Sequence, residues 1–173
     1  MQYDVVIVGA GPSGLSTAIK LKQLEPKLNI CILEKGAEVG AHILSGNVLE
    51  TRALDELLPK WKEEGAPVKT KVTKEKFLFL GKKSSLSWPT WLLPSVQKNH
   101  KNYIISLANL CRWLAEQAES IGVEIFPGFA ASKIIYDEDD KIIGVQTGDM
   151  GIDKEGNNKD SFEPGLNIMA KVT

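Results

Sequence analysis

The chain is poor in the residues that build metal and disulfide sites, with two cysteines and two histidines among 173 residues. Cys31 and Cys111 stand far apart and outside any CxxC spacing, which argues against a disulfide framework, a zinc site or a dithiol motif within this segment. Each falls in an apolar pattern, so both read as small buried side chains. The chain also lacks an excess of either charge, having 21 basic against 22 acidic side chains. That balance gives no electrostatic footprint for nucleic acid, and none is expected as a partner. No apolar run approaches the roughly 20 residues that a membrane-crossing helix needs. A strand-like run begins almost at Met1, which leaves no room for a signal peptide, so the chain is expected to face a cytosol or a matrix. What remains is 43% hydrophobic side chains mixed with charge, the composition of one globular unit able to bury a core.

The most informative run is Asp4-Val5-Val6-Ile7-Val8-Gly9-Ala10-Gly11-Pro12-Ser13-Gly14-Leu15. An apolar stretch enters a GxGxxG turn and leaves as a helical pattern, the arrangement that holds a dinucleotide pyrophosphate. Gly9 allows a sharp turn, Gly11 removes a side chain where phosphate approaches the backbone, and Gly14 lets the helix pack close to the strand. Pro12 and Ser13 open the helix, whose N-terminus presents N–H groups and positive dipole to an anion. Leu15, Ala18, Ile19 and Leu21 keep the helical period until Glu25-Pro26 closes it. A second apolar run, Ile30-Cys31-Ile32-Leu33, ends on Glu34, 20 residues past Gly14. An acid at that strand tip is placed to accept hydrogen bonds from ribose hydroxyls and to repel a 2′-phosphate, which disfavours NADP.

Further along, Leu54, Leu57 and Leu58 form a short helical pattern stopped by Pro59. From 61 to 102 the composition shifts to prolines and aromatics, read as an insertion of irregular strands or a hairpin. Leu107 to Ile121 is amphipathic, with Ser106 placed as N-cap and Gly122 as stop. Val123 to Phe126 reads as a strand following that helix, as in a parallel α/β sheet. Ser132–Tyr136 and Ile142–Gln146 flank an acidic turn like a hairpin, 148–165 reads as a glycine- and charge-rich loop, and Leu166, Ile168, Ala170 and Val172 alternate as a strand. The fold class expected is therefore α/β, a Rossmann-like domain with a parallel sheet, an antiparallel crossover meander and an inserted hairpin region, a pattern that suits flavin better than NAD alone.

The opening run together with Glu34-Lys35 resembles the FAD-binding start of the glutathione-reductase-type flavoproteins. Gly40-Ala41-His42-Ile43-Leu44-Ser45-Gly46, Asn99-His100-Lys101-Asn102-Tyr103, and Trp113 to Glu119 with Phe126 to Ala131 resemble, more specifically, the electron transfer flavoprotein–ubiquinone oxidoreductase family. The resemblance covers essentially the whole chain. It implies an FAD enzyme that takes electrons from reduced electron transfer flavoprotein and passes them to ubiquinone on an inner membrane, with a [4Fe-4S] cluster beside the flavin. By the same resemblance Gly9, Gly11, Pro12, Ser13 and Gly14 hold the pyrophosphate and Glu34 the adenosine ribose. Lys35 lies beside the adenine, Ala130 or Ala131 meets its edge through the backbone, and Ser45 and Gly46 come near the isoalloxazine. No catalytic acid, base or nucleophile is implied, because the cofactor carries the chemistry. Many relatives in the wider superfamily have arginine where this chain has Ser106, which leaves that position as a plain cap.

The resemblance further implies that residues 1–173 are an N-terminal, truncated part of an FAD-binding domain, with the cluster ligands elsewhere and a last strand left as an exposed edge that weakens stability. His42 and His100 lack acidic partners at ligand spacing, and a hydrogen-bonding or packing role is favoured for them over proton handling or metal binding. Phe77, Leu78, Phe79, Leu80, Trp88, Trp91, Leu92 and Leu93 cluster around Lys82 and Lys83, a mixture favoured as a lipid-headgroup contact over a hairpin packed on its own domain. A geranylgeranyl-reductase-like or FixC-type flavoprotein, and a nucleotide-binding module without redox activity, are the other readings.

Overall fold

In the computed structural model, which describes all 173 residues, the elements run β1 (Gln2–Val8), α1 (Pro12–Leu24), β2 (Ile30–Glu34), β3 (Asn47–Leu49), α2 (Arg52–Leu57), β4 (Thr70–Lys71), β5 (Phe77–Leu80), β6 (Ser85–Trp88) and β7 (Tyr103–Ile105). They continue with α3 (Leu107–Ser120), β8 (Glu124–Pro127), β9 (Ala131–Tyr136), β10 (Ile142–Thr147), β11 (Met150–Ile152), β12 (Asn158–Glu163) and β13 (Asn167–Val172). The chain divides into two units, Met1–Ile43 with Ala108–Thr173, and Leu44–Leu107.

The first unit is built on a six-stranded sheet in the order β8-β2-β1-β13-β10-β9. β1 runs parallel to β2 and β13, and β2 parallel to β8, while β10 runs antiparallel to β13 and β9. This is the expected α/β sheet with its antiparallel meander. Ile30, Cys31, Ile32 and Leu33 are all buried, because β2 is covered on both faces, as the unbroken apolar run requires. On one side Val6, Cys31, Leu33, Val145, Ile168 and Ala170 form a common cluster, joined at its edge by Tyr3, Phe126 and Phe129. Leu15, Ala18 and Ile19 are the buried stripe of α1, and each large aliphatic side chain so buried contributes about 1.5–3 kcal/mol. The turn after α1 is tied by Lys22, whose Nζ donates to the carbonyls of Pro26 at 2.8 Å and Leu28 at 3.1 Å. Gly122, at φ +83°, turns the chain out of α3, which no residue with a Cβ would do easily.

Two expectations are corrected here. The last strand is not an edge: β13 lies between β1 and β10 and is hydrogen-bonded on both sides, because the parallel pairing with β1 leaves its other side free for β10. The stretch 148–165 is not a plain loop either, since β11 and β12 pair antiparallel within it. Five of the six β12 side chains are exposed, so no apolar alternation marks the strand. Its turn is made by Asp153, whose Oδ1 accepts the N–H groups of Glu155 at 2.9 Å and Asn157 at 2.7 Å, with Gly156 at φ +90°.

The second unit holds a three-stranded sheet, β3-β7-β4, and the separate β5–β6 hairpin. Its small core gathers around Trp61, buried and set edge-on to Tyr103 with ring centroids 6.0 Å apart. The Trp61 Nε1–H donates to Asp55 Oδ1 at 2.7 Å, and Thr51 Oγ1 donates to Asp55 Oδ2 at 2.9 Å, so α2 anchors the tryptophan through one carboxylate. Those two donors hold the Asp55 carboxyl below its ordinary pKa.

Candidate functional site

The carboxyl ends of β1, β2 and β8 are side by side, since Val8 pairs with Leu33 and Glu34 with Pro127. In an open α/β sheet that end is where ligands bind. Three loops meet there and are bonded to one another. The Gly9 N–H donates to Leu33 O at 2.7 Å, the Ala10 N–H to Glu34 Oε2 at 2.9 Å, the Gly36 N–H to Glu34 Oε1 at 2.7 Å, and the Gly128 N–H to Gly36 O at 2.8 Å.

The three motif glycines have three separate reasons to be glycine. Gly9 has φ +103°, a conformation that L side chains rarely adopt. Gly11 has an ordinary φ of −79°, and a Cβ built there meets nothing within 4 Å. The space in front of it is open, as an approaching phosphate needs. At Gly14 a Cβ would overlap Gly9 O and lie 3.1 Å from Ile7 Cγ2, so the helix sits against its own turn. Pro12 occupies the first helical position and no side chain caps that end of α1, which leaves the Ser13 and Gly14 region as an uncapped, positively polarised helix start. These features fit the pyrophosphate of a dinucleotide.

Glu34 is half-buried at the tip of β2, and each of its oxygens already accepts one backbone N–H. A carboxylate has about four lone-pair positions, so two remain for hydroxyl donors such as those of a ribose. The carboxylate therefore binds the turn together as well as facing a ligand. Sequence reasoning missed this clamp, and it missed Gly36 and Gly128, whose spacing follows no recognised pattern. It also missed the reason for Gly40, at φ +86°, where a Cβ would come 2.9 Å from Ala108 O in α3. Beside that contact Arg112 Nη2 bridges to Glu38 Oε1 at 3.1 Å.

Lys35 is exposed directly after Glu34. Ala130 lies in the loop before β9, and its carbonyl accepts the Gly148 N–H at 2.9 Å. Ala131 is already in the ladder opposite Thr147, so of the two it is Ala130 that lies outside a strand. Ser45 and Gly46 belong to the second unit, at the entrance to β3, with Gly46 at φ +84° and open space where a Cβ would stand. His42 and His100 are both exposed, and no group of three or more metal-ligating side chains occurs in the chain. Cys31 and Cys111 are fully buried, and burial raises their thiol pKa values to about 12 and about 11. Two isolated, protonated thiols do not fit an iron–sulfur cluster, so none is assigned to these residues.

In the second unit the hairpin register pairs Phe77 with Trp88 and Phe79 with Leu86, which puts all four on one face. Phe79 stacks edge-on against both Phe77 and Trp88, at centroid distances of 5.4 Å and 5.9 Å. The four side chains are nonetheless 36–65% exposed, an apolar surface with Lys82 and Lys83 at the turn. No helix of the chain is long and apolar enough to cross a membrane.

Residues 1–55 match the family model described as the Thi4 family. The probable electron transfer flavoprotein–ubiquinone oxidoreductase of Acinetobacter baylyi is 54% identical over 179 residues, covering 100% of this chain and 31% of that protein. The mitochondrial protein of that name from Oryza sativa subsp. japonica is 51% identical over 177 residues, covering 100% of this chain and 30% of that protein. The one from Bos taurus is 50% identical over 177 residues, with 99% and 28% covered. Among solved structures, a geranylgeranyl bacteriochlorophyll reductase-like protein from Thermoplasma acidophilum superposes with a TM-score of 0.65 at 22% identity, covering 99% of this chain and 38% of that one. THI4 from Thermovibrio ammonificans gives a TM-score of 0.58 at 18% identity, with 99% and 56% covered. Those two are likenesses of fold. In sequence, along its whole length, this chain is similar to the electron transfer flavoprotein–ubiquinone oxidoreductases, and it spans about 30% of the length of the relatives it matches.

Proposed function

We propose that this chain is the FAD-holding segment of an oxidoreductase that passes electrons from reduced electron transfer flavoprotein to ubiquinone. The observation that carries the reading is the joined turn at the carboxyl ends of β1 and β2, with open space over Gly11 and both oxygens of Glu34 bonded to the loops around it. In this reading Gly9, Gly11, Pro12, Ser13 and Gly14 receive the pyrophosphate, Glu34 the ribose hydroxyls and Lys35 and Ala130 the adenine, while Ser45 and Gly46 serve the isoalloxazine end. The names of the relatives at 50–54% identity support the electron donor and acceptor. Bound flavin supplies the one- and two-electron chemistry. The chain's own residues bind and orient, and none of them is asked to move a proton.

The aromatic face of the β5–β6 hairpin supports peripheral contact with an inner membrane. Laid on a bilayer, Phe77, Phe79, Leu86 and Trp88 enter the acyl boundary while Lys82 and Lys83 reach back to the headgroups. A [4Fe-4S] cluster in the complete enzyme would draw its ligands from residues other than these. The test is to purify the full-length protein, record its flavin spectrum, and supply reduced electron transfer flavoprotein with a quinone analogue. Yellow protein that reduces the quinone upholds the reading. Flavin without quinone reduction leaves a flavoprotein of another reaction, and a colourless protein that binds no added FAD refutes the site.

A further inference from the structure

At the root of the same hairpin the second unit has a cleft of about 490 Å³. Lys74 and Lys76 line it just before β5, Trp91 lines it just after β6, and Lys98 and His100 close the other side. Lys98 Nζ donates to Trp91 O at 3.2 Å, which holds that ammonium on the wall and leaves two of its three N–H donors free. The cleft's one acid, Glu75, accepts the Asn99 N–H on Oε2 at 2.9 Å and so ties the two walls together. The chain's ion pairs are Arg52–Glu50, Arg112–Glu38 and Lys171–Asp4, and none of them uses a lysine of the cleft. Three lysines thus line one concavity with one acid among them.

We propose that this cleft binds a phosphate group and that an anionic phospholipid supplies it. The inference rests on the membrane reading of the hairpin and adds a headgroup preference to it. Lysines exposed to water hold a free phosphate ion weakly. A lipid phosphate is different, because the apolar face next to the cleft brings it to high effective concentration at a surface that is itself negative. The position fits as well. β5 and β6 are four residues long, so the cleft lies about 10 Å from the hairpin turn, and lysines stand at both ends of the apolar face. Face-down contact puts both ends at headgroup level.

The test measures binding of the full-length protein to phosphatidylcholine vesicles, and to the same vesicles with one fifth phosphatidylglycerol, by co-sedimentation. Three proteins are compared: the unaltered protein, a Lys74→Ala/Lys76→Ala/Lys98→Ala variant, and a Phe79→Ser/Leu86→Ser variant. Each lysine near an anionic surface is worth about fivefold in binding, so the gain from phosphatidylglycerol is expected to fall on the order of 100-fold in the triple alanine variant. Its binding to neutral vesicles should be unchanged, and arginine at the three positions should restore the gain. The serine variant should lose neutral binding while keeping a preference for the anionic vesicles. If neutral binding survives the serine changes, the hairpin reading fails and the cleft is judged by the triple variant alone. If the unaltered protein binds both vesicles equally, or the triple variant keeps the full gain, the cleft proposal is overturned while the hairpin reading stands. If inorganic phosphate at matched ionic strength abolishes the gain, the cleft takes free phosphate and the lipid assignment is overturned. No binding to either vesicle overturns both.

Discussion

Gly11 and Gly14 belong to one motif but should respond to the same substitution in opposite ways. Gly11→Ala adds a methyl group to open space at a φ of −79°, which alanine adopts freely. Reduced freedom of the unfolded chain favours the variant by about 0.4–1 kcal/mol, and alanine's poorer N-capping disfavours it by a similar amount, so stability should hold within about 0.5 kcal/mol. Cofactor binding should not hold, because that methyl stands where a phosphate meets the backbone. Losing one charge-assisted hydrogen bond of about 1.5–3 kcal/mol weakens FAD binding roughly 10- to 150-fold. Gly14→Ala instead drives a Cβ into Gly9 O, a backbone atom that cannot swing aside. Overpacking against a backbone atom, at about 2–3 kcal/mol, offset by about 1 kcal/mol of helix propensity, leaves a net loss of about 1–2 kcal/mol in the cofactor-free protein. Urea unfolding followed by far-ultraviolet circular dichroism reads the first quantity, and FAD titration by flavin fluorescence reads the second. A Gly11→Ala protein that binds FAD normally, or that is destabilised as much as Gly14→Ala, would refute the separate roles assigned to the two glycines.

Glu34→Gln keeps one acceptor oxygen for the turn and Glu34→Ala keeps none, so losses of about 1 and about 2–3 kcal/mol respectively are expected in cofactor-free unfolding. Equal losses would contradict the two-sided clamp. Cys31 and Cys111, with thiol pKa values raised by burial to about 12 and about 11, should resist iodoacetamide at pH 8 in the native state and react fully in urea, as mass spectrometry would read. Burial and the Glu124 hydrogen bond raise the Tyr3 hydroxyl from 10.0 to about 12. Its neutral form is the one the fold accepts, so this contribution is complete below pH 10 and is lost as pH rises toward 12. Tyr3→Phe should flatten that part of the stability curve, measured by thermal melting across pH 9–12.

The βαβ core was legible because its signals are local and redundant. The glycine triplet, the period of α1, the unbroken apolar β2 and Glu34 at its tip all point to one arrangement, and the structure has it. Two kinds of feature were hidden. β3, β4 and β7 are two or three residues long, too short to show a period, and they exist because β7 pairs with the two others across more than 30 residues. β11 and β12 are mostly exposed, so their pairing is set by the Asp153 turn rather than by apolar alternation. At the site, the residue types were readable and their mutual bonds were not. Nothing in the sequence says that Glu34 takes the Ala10 N–H, or that Gly40 is small because Ala108 crosses it, since both facts depend on how distant loops meet.

The placement of β13 between β1 and β10 also sets a timetable. Gln2 faces Met169 and Val5 faces Val172, so the first neighbour of β1 to leave a ribosome is β2, while its other neighbour, β13, follows β1 by about 160 residues. At 5–20 residues per second that delay is about 10–30 s. Throughout it one side of β1 is an unpaired parallel edge of valine and isoleucine, a template for the wrong strand from another nascent chain. The sheet therefore closes long after the βαβ unit is made, and the yield of folded protein should depend on chaperone supply more than on the intrinsic speed of that unit. A substitution far from the glycine turn, such as a charge placed in β13, would then reduce the amount of folded protein before it changed the behaviour of any molecule that folded.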